Sequence, residues 1–77
     1  MKTQEMIVKR INEITKETER AICDICLSGG ITPSTIYDIL SGKSQKAQVL
    51  SIKKFCEGAG ITLSQFFDRE YFDDIED

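Results

Sequence analysis

Ser34, Thr35, Tyr37 and Asp38 lie close together in the chain, with Thr32 and Pro33 before them and Ser41, Lys43, Ser44 and Lys46 after them. These are mostly hydroxyls, a phenol, a carboxylate and ammoniums, groups suited to donating and accepting hydrogen bonds across a polar surface. That is recognition chemistry. Covalent chemistry is poorly supplied. The chain has no histidine, so a Ser/His or Cys/His nucleophile pair cannot form within it. Carboxylates are paired only near the C-terminus, and Gly29-Gly30 follows no strand, so it reads as a turn and not a phosphate-binding loop. An enzyme is not expected. Cys23-Asp24-Ile25-Cys26 invites a metal or redox reading. Only one further cysteine exists, so a zinc site would need a carboxylate to complete it. A thioredoxin-like pair would need a βαβ setting that this chain lacks. Helical spacing turns both sulfurs to one side, where buried cysteine acts as a small hydrophobe. No metal or cofactor is expected.

The recognition residues need a helix to carry them, and the stretch Gly29–Lys43 supplies its punctuation. Gly29 and Gly30 can take positive φ and reverse the chain. Thr32 is an N-cap candidate, and Pro33 stands where a first helical residue tolerates proline. Ile36, Ile39 and Leu40 then form a narrow apolar face, and Gly42 stops a helix over Thr32–Leu40. Ser34, Thr35, Tyr37, Asp38 and Ser41 are left on the other side. Before this helix, Ile7, Ile11 and Ile14 mark a first amphipathic helix over Glu5–Ile14. Thr15–Arg20 is polar and compatible either with continued helix or with a new start capped by Thr18. Ala21, Ile22, Ile25 and Cys26 give a second buried face. After a loop at Ser44–Ala47, Val49, Ile52, Phe55, Cys56 and Ala59 mark a fourth helix. Thr62 with Gln65 reads as a capping box opening a fifth, which carries Leu63, Phe66 and Phe67. No strand pattern or internal repeat is present. The expectation is an all-α, compact bundle of five short helices.

Seventy-seven residues make one domain at most, and a domain of this size buries only about 60% of its unfolded surface. No apolar run is long enough to span a bilayer or to form a secretory signal, and an odd cysteine count fits a reducing compartment. A cytoplasmic protein with no membrane partner is expected. The net charge is −3, but residues 68–77 hold six acids against one base, so residues 1–67 carry +2. Asp38 and Glu57 bracket an acid-free run that contains Lys43, Lys46, Lys53 and Lys54. A basic segment therefore follows the third helix directly, and an acidic tail at 68–77 closes the chain.

Short helices with a tight turn before the third make a helix-turn-helix arrangement. The chain resembles the lambda-repressor-like helix-turn-helix domains of the xenobiotic-response-element family of bacterial and phage regulators. The matching residues are Arg10-Ile11, Ile14, Ile25-Cys26, Gly30-Ile31-Thr32, Ser34-Thr35-Ile36, Ile39 and Gly42-Lys43. The match continues with Val49, Ile52, Phe55-Cys56, Ala59-Gly60-Ile61, Leu63 and Phe66-Phe67. Departures occur where the family usually has alanine (Cys26, Cys56), leucine (Ala59), a capping hydroxyl and a polar neighbour (Ala21, Ile22), or an apolar residue (Arg20). The resemblance implies a DNA-binding transcriptional regulator, a repressor, over residues 1–67, with the helix 32–40 in the major groove of double-stranded DNA. It implies Pro33, Ser34, Tyr37 and Asp38 at the bases, and Thr32, Thr35, Lys43, Ser44 and Lys46 at phosphates. A homodimer through Phe66, Phe67, Tyr71 and Phe72 is expected. The alternative is an interaction module, antitoxin or adaptor, whose acidic tail docks on a basic protein partner.

Overall fold

The computed structural model describes residues 2–44 and 48–76. Among these described residues, five α-helices follow in order: α1 (Thr3–Thr18), α2 (Ile22–Gly29), α3 (Pro33–Ser41), α4 (Val49–Ala59) and α5 (Leu63–Phe66). A 3₁₀ turn at Glu70–Asp74 follows them. The architecture is an all-α bundle, with no strand among the described residues. Its radius of gyration is 11.5 Å, close to the ~11.5 Å expected of a folded chain of this length.

The isoleucine spacing of α1 buries Ile7, Ile11 and Ile14 as expected, but the helix runs on through the polar stretch to Thr18. It ends because Glu19 turns left-handed, with φ 55°, a conformation that strains a residue bearing a Cβ. Thr18 does not cap the next helix. Its hydroxyl donates to the Ile14 carbonyl at 2.7 Å and so belongs to α1. Ala21 begins α2 without a side-chain cap, and Arg20 ties that helix down instead. Its guanidinium meets Asp24 at 2.7 Å, Ser28 at 2.9 Å and the Gly58 carbonyl at 2.6 Å. An arginine at the expected apolar position thus joins α2 to α4.

Helices α2 and α4 end alike. Gly30 and Gly60 are left-handed, and the following Ile31 and Ile61 amides donate to the Cys26 and Cys56 carbonyls at 2.9 and 3.0 Å. This is the Schellman closure, in which glycine avoids the Cβ penalty and the next apolar residue folds back on the helix. Cys26 and Cys56 sit fully inside, filling the small core positions expected of them. Burial raises the Cys26 thiol pKa and pushes that of Cys56 up to about 11.

The periodicity overshoots at the edges of the core. Ala21 is exposed, Ile22 is half-buried, and Cys23 faces solvent, so Cys23 and Cys26 do not share a buried side. Val49 is 65% exposed and takes no part in the core that Ile52, Phe55 and Cys56 of α4 enter. The capping box at α5 forms as expected: Gln65 N–H donates to Thr62 Oγ1 at 3.1 Å, and Thr62 N–H donates to Gln65 Oε1 at 2.8 Å.

The C-terminal stretch packs back on α1. Tyr71 donates to Glu13 at 2.6 Å, Arg69 reaches Glu17 at 3.2 Å, and the Lys9 ammonium lies 4.3 Å from the Tyr71 ring centre. Phe72 packs against the core with its ring 5.0 Å from that of Phe67. Underneath, Arg10 is only 3% exposed and donates to the Phe66 and Gln65 carbonyls at 2.6 and 2.9 Å. Phe66 is wholly buried, so it cannot serve the intermolecular face expected of it. Phe72 and Tyr71 are partly used within the chain as well.

Candidate nucleic-acid interface

Helix α3 is fixed from one side only. Ile36 and Ile39 are 0% and 2% exposed and enter the core, while Leu40 packs partly against it. Thr32 has the extended backbone of an N-cap and its carbonyl accepts from Thr35 N–H at 3.0 Å, but its hydroxyl makes no cap bond. The helix starts at Pro33 and extends to Ser41, one residue past the expected Leu40.

Ser34, Tyr37, Asp38 and Ser41 follow one another at short helical intervals, one stripe on the helix surface. Ser34 and Ser41 are exposed, Tyr37 is half exposed, and Asp38 is half-buried beside them. Pro33 is half-buried at the near end of the stripe. Beyond the far end the chain doubles back: Ser44 N–H donates to the Asp38 carbonyl at 3.0 Å, and Lys43 N–H to Ser41 Oγ at 3.4 Å. Lys43 is exposed there.

The five residues expected at phosphates separate. Thr32 and Lys43 lie at opposite ends of α3, about 15 Å apart along its axis. Thr35 and Ser44 come together with Ile39, Gln48 and Ser51 around a cleft of about 190 Å³ between α3 and the start of α4. Lys46 lies outside the described residues. The sequence alone does not single out Gln48 and Ser51. Their only signal is position, just before and within the first turn of α4. The first amides of that helix have no helical partner and carry its positive end.

The acid-free run is less uniformly basic in the fold than in the sequence. Lys53 is paired with Glu57 at 2.7 Å. That hydrogen bond raises the lysine pKa and lowers the glutamate's. Lys53 also lines a different groove, of about 300 Å³, with Cys56, Glu57, Ile61, Thr62 and Leu63. The arrangement around α3 can therefore hydrogen-bond a polar groove along its stripe and meet anions at Lys43 and the hydroxyl-lined cleft. Among the described residues, no group of three or more His, Cys, Asp and Glu side chains could hold a metal ion. No described helix is long and apolar enough to cross a membrane. Comparison with protein-family models, with characterised proteins and with solved structures gives no match for this chain.

Proposed function

We propose that this chain is a sequence-specific DNA-binding transcriptional regulator of the cytoplasm, a repressor that inserts α3 into the major groove as the second helix of a helix-turn-helix. One observation carries the reading: α3 commits Ile36 and Ile39 to the core and turns outward a stripe of Ser34, Tyr37, Asp38 and Ser41 that ends at Lys43. A helix about 10–12 Å across fits the major groove, which is about 12 Å wide. Ser34 donates to or accepts from a base edge, Asp38 accepts from a cytosine amine, and Pro33 meets a thymine methyl. Tyr37 stands between them. Lys43, with Thr35 and Ser44 in their cleft, holds phosphates and sets the register. One such helix reads few base pairs, so the chain acts as a homodimer on half-sites about 34–36 Å apart.

The placement of charge supports the same reading. The outward stripe and the acid-free run from 39 to 56 adjoin each other, while the acidic C-terminal stretch packs against α1. The test is a selection from random-sequence duplexes, followed by titration across a salt series. A preferred sequence whose affinity falls steeply with salt is expected. A second reading, an interaction module, is favoured by exposed Leu27, Val49 and Leu50 together with exposed Asp73 and Asp74. It predicts a folded protein with no preferred duplex.

A further inference from the structure

The first turn of α1 reaches across to the far end of α3. Gln4 is half-buried and donates from Nε2 to the carbonyl oxygen of Ile39 at 2.7 Å. Ile39 is among the last residues of α3, whose carbonyls lack a partner in the helix. Gly42 N–H approaches the same oxygen at 3.3 Å. We propose that Gln4 is a positioning residue for the outward stripe of α3, setting the height and tilt at which Tyr37, Asp38 and Lys43 meet DNA. This rests on the reading of α3 as a groove helix.

Ile36 and Ile39 decide which side of α3 faces inward, but apolar contact is non-directional and lets a helix roll or slide. A hydrogen bond to a backbone carbonyl is directional and holds one point of the helix in place. That point is well chosen. Tyr37 and Asp38 directly precede Ile39, and Lys43 follows the turn that Gly42 makes on the same oxygen. Base contacts need placement to about 0.5 Å, whereas a lysine on a flexible stem meets a phosphate as a point charge. Losing the Gln4 bond should therefore reduce discrimination between sequences and spare general attraction to DNA.

The donor is what matters. Gln4→Ala removes it. Gln4→Glu keeps the shape, has no donor when ionised, and sets a carboxylate at the negative end of the α3 dipole. Gln4→Lys restores a donor where a cation is favoured. Each variant is titrated against a duplex selected by the wild-type chain and against random-sequence duplex at one salt concentration. Added charge and any loss of folded fraction affect both affinities alike, so their ratio isolates positioning. Amide exchange at Gly42 and Ser44 is followed without DNA.

The ratio should fall about three- to tenfold in Gln4→Ala, further in Gln4→Glu, and stay near the wild-type value in Gln4→Lys. Exchange at Gly42 and Ser44 should quicken in the same order. An unchanged ratio in Gln4→Ala and Gln4→Glu overturns the proposal, whether or not exchange changes. A ratio lost equally in all three variants overturns it too, since the donor would then be irrelevant. If the wild-type chain selects no duplex, the groove-helix reading fails and this role fails with it. Exchange at Gly42 and Ser44 then still reports whether Gln4 orders the end of α3, so the two failures are distinguishable.

Discussion

Helices α3 and α4 border the same core and are held in opposite ways. α4 buries Ile52, Phe55, Cys56 and Gly58, and it lies so close to α2 that a Cβ at Gly58 would fall on the Ile25 carbonyl oxygen. A Cβ at Gly29 would likewise strike the Lys54 carbonyl. α3 buries Ile36 and Ile39, is joined to α1 by the Gln4 bond, and leaves its other side to solvent. These buried residues of α4 answer to packing. The side chains on the outer side of α3 have no such duty to the core, and the proposed recognition rests on them.

The contrast can be broken from the buried side first. Ile36→Ala and Ile52→Ala, at residues 0% and 2% exposed, should each cost about 2–5 kcal/mol of unfolding free energy in denaturant titration. A small domain can hold as little as ~5 kcal/mol in total, so either change approaches unfolding. Gly58→Ala comes next, because the two backbones must separate. It should cost about 1–3 kcal/mol, whereas Ser34→Ala on α3 should stay within about 0.5 kcal/mol. A tolerated Gly58→Ala would mean that α2 and α4 can part without cost, against their close approach at Ile25 and Gly58.

Alkali should also act on the packed side. Burial raises the Cys56 thiol from its ordinary 9.0 to about 11. Burial, then the bond to Glu13, raises Tyr71 from 10.0 to about 12. Both groups keep their protons more tightly in the folded chain. Their contribution is therefore fully present below the unfolded values and lost as pH rises through the folded ones. The melting temperature should fall first between about pH 9 and 11, as Cys56 ionises, and further toward about 12 with Tyr71. Cys56→Ala should lessen the earlier part of that fall and leave the share of Cys26, whose thiol pKa burial also raises. The smallest expected effect lies at the end of α3. Lys43→Ala should leave the melting temperature alone and weaken binding to all duplexes similarly. It should reduce the magnitude of the log–log salt slope by about 0.9 for each phosphate that the lysine no longer neutralises.

What the sequence made legible was local. Isoleucines at three and four, the left-handed stops at Gly30 and Gly42, and the Thr62–Gln65 box all act within a few residues of themselves. The long-range ties were not legible, for a shared reason. Arg10 bonds the Phe66 carbonyl, Arg20 the Gly58 carbonyl and Gln4 the Ile39 carbonyl. A backbone carbonyl is present at every residue, so no side-chain type marks the partner. The end of α1 was hidden because Glu19 adopts a conformation usually announced by glycine. Docking of the acidic stretch on α1 was hidden because its charge suggested solvent, while Tyr71 and Phe72 supplied the contact. At the candidate site the stripe of α3 was readable from spacing alone. The cleft was not, since Gln48 and Ser51 join Thr35 only once α4 folds beside α3.

Asp38→Ala tests the central claim most directly, because its two expected effects have opposite signs. The variant and the wild-type chain are titrated against the duplex that the wild-type chain selects and against random-sequence DNA, at matched salt. If α3 lies in the major groove, removing this carboxylate lessens repulsion from phosphate, so affinity for random DNA rises. Without its bond to a base, the preference for the selected duplex falls by about 1–3 kcal/mol. Unchanged affinity for both duplexes would contradict the claim and remove α3 from the interface.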